Sequence, residues 1–411
     1  MAASPATLPR RGAPWLPDPI RRAGRVLAIP IGSVVFAFFV GGLIVAASGD
    51  NPFAAYQGLV CGGFGAFCTG GQIPALQISN TIVYVIPLIM AGVAVALPFR
   101  AGLFNIGAEG QFLVGAIACT TIGVKFSGLP APLLLPLVLV GGMVAGALWA
   151  GVAGVLKATI GAHEVVTTIM LNYVAQWLVR FLIVGGPLQL PGGFSVSSPI
   201  GSGAQLATIL PHDNQLIFGL PSSVYRIHTG LFIALAAAAV YAFLLWRTSL
   251  GYEIRAAGQS QRAARYAGVS VRRTIIVTML IAGAFSGLAG AVQIAGVDHN
   301  LTDKYFSDST GFDAIAVALL GLGSAVGIVL AAILFGALHA GGSVMQSDAG
   351  ISGSLVQVLQ ALILFSIAAN FLSTIWLRLP RIGHQQPAGQ APAMGTEGAP
   401  ETGEKGGAGE P

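Results

Sequence analysis

The chain has 411 residues, 55% of them hydrophobic and only 9% charged, with a formal net charge of +5. Soluble domains carry roughly a quarter charged residues, so a single soluble core does not account for this composition. The apolar runs are continuous and about 20 residues long, as bilayer-spanning helices require. An outer-membrane barrel, with alternating segments of about 10 residues, is excluded.

The implied fold class is all-α, a polytopic membrane protein of about ten transmembrane helices. In chain order, residues 1–25 form a basic tail holding Arg10, Arg11, Arg21, Arg22 and Arg25. It is too long and too basic before the first span for a tidy cleaved signal peptide and is expected to be cytoplasmic. A transmembrane domain follows over 26–377, with spans expected at 26–47, 77–98, 103–123, 132–156 and 164–184. Further spans are expected at 229–246, 275–296 and 354–377. From about 382 onward the chain is mostly Gly, Pro, Ala and Glu with almost nothing to bury, so 378–411 is expected to be a disordered cytoplasmic tail.

The run "GFDAIAVALLGLGSAVGIVLAAILFGALHAGG" is too long for one span and is broken by glycines near 321–327. As a single helix it would send Arg378 and Arg381 outside, against the positive-inside rule. Two helices, a short one at 312–323 and a fuller one at 325–342, give ten spans with both ends cytoplasmic. A re-entrant hairpin over the same residues satisfies the rule equally. Sixteen Lys and Arg then lie inside, and Lys125, Arg180, Arg226 and Lys304 lie outside. This topology explains the pI near 9.3 without nucleic acid as a partner. Two sets of five spans would be inverted relative to one another, a common transporter plan, although the halves share no strong identity.

The first outer loop holds Cys61 and Cys68, whose spacing permits a disulfide without proving one; Cys119 lies in a span. Asn105, Glu109 and Gln111 sit in a segment otherwise apolar enough to cross a bilayer. An ionisable group there faces the protein interior or a wet cavity. On the expected helix Asn105 and Glu109 are i and i+4, so the amide would donate to the carboxylate. Structural hydrogen bonding between helices is favoured over a direct place in a translocation path, and both readings stand. His163 and Glu164 open the fifth span, where a carboxylate suits a helix N-terminus. Thr168 and Asn172 continue that helix as a polar stripe that could line a path. Asp313 opens the short helix and reads as a cap before it reads as a substrate contact, though half-helices do build transport sites. Asp298, His299 and Asp303 read as solvated outer-loop polarity. No catalytic or metal-ligand arrangement is seen, and no cofactor is expected.

The loop 247–274, the longest expected on the cytoplasmic side between spans, holds six arginines around "QRAARYAG", which would make one or two helical turns ending at Gly268. The arginines suit lipid anchoring, but the order of small residues suits a short helix lying in a partner's groove. The stretch "GYEIRAAGQSQRAARYAGVSVRRTIIVTMLIAGAFSGLAGAVQIAG" resembles the coupling-loop region of permease subunits of bacterial ABC importers for branched-chain amino acids, ribose and nucleosides. "LFNIGAEGQFLVGAIA" and "AHEVVTTIMLNYVA" look like runs of the nucleoside branch, whose partner is a basic-membrane-protein-type lipoprotein. "GFDAIAVALLG" fits the whole superfamily.

The resemblance implies a transport permease rather than an enzyme, in a bacterial inner membrane. No phosphate loop of the form G-x-x-x-x-G-K-[ST] is present, so ATP hydrolysis would fall to a separate ATPase. Arg262, Ala263, Ala264, Arg265, Tyr266, Ala267 and Gly268 would meet that ATPase. A second, related permease would complete the path, and a binding lipoprotein would dock on the extracellular stretch 185–228. Alternatives from the sequence are a ribose-type importer and a proton-coupled carrier using Glu109, Glu164 and His163.

Overall fold

The structure is a computed structural model describing residues 18–68, 71–210, 216–217, 220–221, 224–307 and 309–376. The body spans residues 1–369; a second unit begins at 370, and its described part is the end of the last helix. Most of the basic tail and all of the C-terminal tail expected from sequence lie outside the described residues.

Fourteen helices are described: α1 (Asp18–Ala47), α2 (Pro52–Phe64), α3 (Pro74–Arg100), α4 (Ala108–Lys125), α5 (Ala131–Ile160), α6 (Glu164–Ile183) and α7 (Gly230–Arg247) come first. After them come α8 (Ser249–Gln259), α9 (Gln261–Tyr266), α10 (Val271–Gln293), α11 (Lys304–Ser307), α12 (Thr310–Leu320), α13 (Ala325–Ala349) and α14 (Ser354–Trp376). A two-residue antiparallel ribbon pairs β1 (Leu216–Ile217) with β2 (Leu220–Pro221).

Among the described residues seven helices are long and apolar enough to cross a membrane: α1, α3, α5, α6, α7, α10 and α13. With α4, α12 and α14, which are shorter or less apolar, they make the expected ten or so, and α12 is the expected short helix. Its eleven residues rise about 16 Å at 1.5 Å each, half of a hydrocarbon core of about 30 Å. Helix α1 begins at Asp18, eight residues before the expected first span, and its part long and apolar enough to cross a membrane is Pro30–Ala47.

The first outer connector is largely helical, and the arginine-rich connector holds α8 in addition to the short helix expected there. In the first, Asn51 caps α2 by accepting from the Phe53 amide at 3.0 Å, with Pro52 at the first helical position. Gly58, Gly62 and Gly63 bring α2 against the backbone of α13, and Cys61 is joined to Cys68 by a disulfide. In the second, α8 and α9 fill the arginine-rich loop.

The packing around α3 and α10 is reciprocal. α10 packs on α4 and α5 while α3 packs on α12 and α13, and α3 and α10 touch each other. Exchange of the two halves of the chain maps one set of neighbours onto the other, as the expected five-plus-five organisation requires. The α10 crossings are made close by glycines, with Gly115 of α4 and Gly142 and Gly146 of α5 meeting Gly283 and Gly287. Small residues of this kind let helix backbones approach within a membrane.

The described part of the stretch 185–228 crosses the end of α10 at residues 197–206. Ser197, Ile200 and Leu206 donate backbone N–H groups to Leu301, His299 and Ala295 at 2.8 to 2.9 Å. At its end the His228 ring lies against the backbones of Gly230 and Gly296 and is 1% exposed. Burial, with His299 and Arg226 adding repulsion, pushes the His228 imidazole down to about 4 from 6.5. The unfolded chain therefore takes up this proton near pH 6.5, whereas the folded chain resists it until about pH 4. Stability from this group is intact above pH 6.5 and is lost as pH falls toward 4, by on the order of 3 kcal/mol. Melting temperature against pH should show this decline, and His228→Gln should flatten it.

Candidate functional site

The site begins where α3 ends. Gly102, with φ +73, turns the chain back, and residues 103–107 then run beside α3 without helical structure. The Asn105 amide donates to the Ala94 carbonyl at 3.4 Å, about 9 Å below the end of α3 at 1.5 Å per residue. Helix α4 consequently begins inside the bundle. This corrects the expectation that Asn105 and Glu109 share a helical face: Asn105 precedes the helix, and its amide pairs with Gln111, at 3.1 and 2.8 Å in the two directions.

Four helices are stitched together at the start of α4. Gly110 N–H donates to the Asn172 side chain at 2.8 Å, and the Asn172 amide donates to the Ile106 carbonyl at 2.9 Å, which joins α6. The Ser286 hydroxyl of α10 donates to the Ala108 carbonyl at 2.6 Å. Gly311 N–H of α12 donates to Glu109 Oε2 at 2.6 Å. Thr168 turns its hydroxyl to its own helix, onto the Glu164 carbonyl at 2.8 Å. Asn105, Glu109, Gln111, Thr168 and Asn172 are all at most 2% exposed. They form one buried polar knot.

Beyond the knot, across α12, lies a cavity of about 350 Å³ lined by Tyr84, Leu88, Gln293, Lys304, Thr310, Asp313 and His339, among others. That volume falls within the range of small-molecule sites. Of the path residues expected from sequence, Asp313 lines it, and the five of the knot do not. His339 Nδ1 lies 3.9 Å from Asp313 Oδ2, and its ring packs on Tyr84 with centroids 4.7 Å apart. Gln293, at the end of α10, donates to Asp298 at 2.9 Å, and Asp298 also receives the Tyr305 hydroxyl at 2.6 Å and pairs with Lys304 at 2.9 Å. Asp298 is therefore an anchor for one wall of the cavity rather than solvated loop polarity. The rule that flags Glu109, an ionisable group inside a span, applies equally to His339 in "FGALHAGG" and would have found it. Tyr84 and Gln293 carry no comparable signal.

The arginine-rich connector projects at the end of the molecule reached by the C-terminus of α3. Thr248 caps α8 and Ser260 caps α9 through their side chains. Gly268, at φ +83, follows the end of α9, as the sequence led one to expect. Arg262, Ala263, Arg265, Tyr266, Ala267 and Gly268 are exposed, Tyr266 at 94%, while Ala264 turns inward at 3%. Arg255 is spent differently, packed over the Trp246 ring at 4.7 Å. At the start of α6, Glu164 pairs with Lys157 at 2.7 Å.

Helices long and apolar enough to cross a membrane, a cavity lined by polar side chains and an exposed helical connector together fit a transport permease. Residues 77–368 match the family described as branched-chain amino acid transport system / permease component, and the chain belongs to that family. It is 38% identical to the guanosine ABC transporter permease protein NupP of Bacillus subtilis over 84% of this chain and 94% of that one. It is 36% identical to the glucose ABC transporter permease protein TsgB13 of Haloferax volcanii, over 90% and 96%. It is 35% identical to the nucleoside ABC transporter permease protein NupB of Lactococcus lactis, over 86% and 93%. No solved structure matches the chain. Membership implies a multi-pass membrane protein that works with a separate ATPase and a substrate-binding protein.

Proposed function

We propose that the chain forms part of the translocation path of an ABC importer for nucleosides, and that the cavity beside α12 is where the nucleoside passes. The observation that carries this reading is the Tyr84–His339 ring pair beside Asp313 and Gln293. A flat base stacks on such rings, while Asp313 and Gln293 offer hydrogen-bond partners to base edges or ribose hydroxyls. The names of two relatives point the same way. A sugar importer is the second reading, favoured by the glucose relative.

Arg262, Ala263, Ala264, Arg265, Tyr266, Ala267 and Gly268 meet the ATPase on the cytoplasmic side, with a related second permease completing the path. The two chain ends are cytoplasmic by the distribution of Lys and Arg, and stretch 185–228 faces the binding lipoprotein. The carboxylates a proton carrier would use are engaged structurally, Glu164 with Lys157 and Glu109 with Gly311.

Uptake of radiolabelled guanosine into cells producing the permease with its transport partners tests this reading, with unlabelled ribose, glucose and leucine as competitors. Uptake that resists all three and vanishes with an ATPase unable to hydrolyse ATP is the expected result. Blockage by a sugar would transfer the assignment to the second reading. In the same assay Tyr84→Ala is expected to lower guanosine uptake about tenfold, the value of about 1–1.5 kcal/mol of aromatic stacking.

A further inference from the structure

The short helix α12 carries cavity residues Thr310 and Asp313 at its N-terminal end. One stretch of chain, residues 100–109, grips both its ends. At the N-terminal end Glu109 Oε2 accepts from Gly311 N–H at 2.6 Å. At the other end Arg100 Nη2 donates to the Leu322 and Gly323 carbonyls at 3.0 and 2.9 Å, with Nε reaching Gly323 at 3.3 Å. The Tyr241 hydroxyl donates to the same Gly323 carbonyl at 2.7 Å. The signs of charge are those a helix dipole calls for, a carboxylate at the N-terminus and a guanidinium past the C-terminus. The gripping stretch also touches α8. A Cβ on Gly258 would lie 2.9 Å from the Arg100 carbonyl carbon, and one on Gly102 would lie 3.4 Å from the Gly258 Cα.

We infer that Arg100 is a positioning residue that transmits movement of α8 and α9 to the cavity, through residues 100–109 and the rod of α12. A shift of α8 meets the backbone at Arg100 directly, without an intervening side chain. Arg100 carries it to the Leu322–Gly323 turn, and Glu109 holds the far end of the rod, so Thr310 and Asp313 move with it. This inference rests on the placing of the ATPase at α8–α9 proposed above.

The test uses the whole transporter, both permeases with ATPase and binding protein, in proteoliposomes. Thr310→Cys is labelled with a membrane-impermeant maleimide, without nucleotide and with ATP trapped by vanadate. The chain's other cysteines do not compete, because Cys61 and Cys68 are joined and Cys119 is buried. The expected labelling rates differ between the two states by about fivefold or more, the scale of ordinary couplings between sites. Adding Arg100→Ala is expected to reduce that difference to under about twofold while ATP hydrolysis stays within about twofold, so that guanosine uptake falls about tenfold. Should Arg100→Ala fail to assemble, Arg100→Lys, which keeps the charge and loses the forked donors, is expected to give an intermediate difference.

An unchanged nucleotide response in either variant overturns the inference, as does the absence of a response in the parent. A parent that does not take up guanosine removes the nucleoside reading alone, because the labelling comparison uses no substrate.

Discussion

Gly287→Val is expected to abolish the folded permease. A Cβ at 287 would lie 2.9 Å from the Gly146 Cα and 3.1 Å from its nitrogen, besides striking the Gly142 carbonyl oxygen. A Cβ at Gly115 or Gly146 would in turn meet the Gly287 Cα, at 2.5 and 2.7 Å. Every obstructing atom is backbone, so no side chain can swing aside, and relief requires α4 or α5 to move away from α10. Overpacking a well-filled site costs about 1–3 kcal/mol, occasionally more, and a three-helix crossing built on backbone contact belongs at the upper end. Gly32→Val is the matched control, since nothing lies within 4 Å of a Cβ there. Size-exclusion profiles in detergent should show a single sharp peak for the control and aggregate or no protein for Gly287→Val. A monodisperse Gly287→Val protein with an unchanged melting temperature would mean that the crossing is looser than described.

Glu109→Ala is expected to destabilise the protein by about 1–4 kcal/mol. The buried Gly311 N–H would lose its acceptor, at about 1–3 kcal/mol, and α12 would lose the negative charge at its N-terminus, at about 0.3–1 kcal/mol. Glu109→Gln keeps an oxygen where Oε2 now accepts and should recover most of the stability. Thermal melts of the three proteins separate the two contributions. Equal damage from Ala and Gln would show that the negative charge, and not the hydrogen bond, holds α12 in place. Uptake is expected to follow the same order, because Thr310 and Asp313 stand on the helix that Glu109 secures.

Several features of this protein follow from local sequence alone. Composition and run length determine a polytopic helical membrane protein, because continuous apolar surface of that length has no other stable environment. The short turn of α9 and Gly268 beyond it are legible for the same local reason: a brief helix and a left-handed glycine at its end depend on a few neighbouring residues. The arginine-rich connector also carried the family resemblance. Tertiary structure decided the rest. Asn105 reads as helical from apolar periodicity, yet its amide is drawn back to Ala94 and to Gln111, so α4 starts within the bundle. Glu109 reads first as a group that hydrogen-bonds between helices, but its partner, Gly311, lies 202 positions away in sequence and only the tertiary structure supplies it. Tyr84, Gln293, Asp313 and His339 come from four helices, and no local pattern announces that they share one cavity. Spacing within a segment is set by the helical repeat, but the meeting of segments is set by which backbones can approach, here through glycines on α4, α5 and α10.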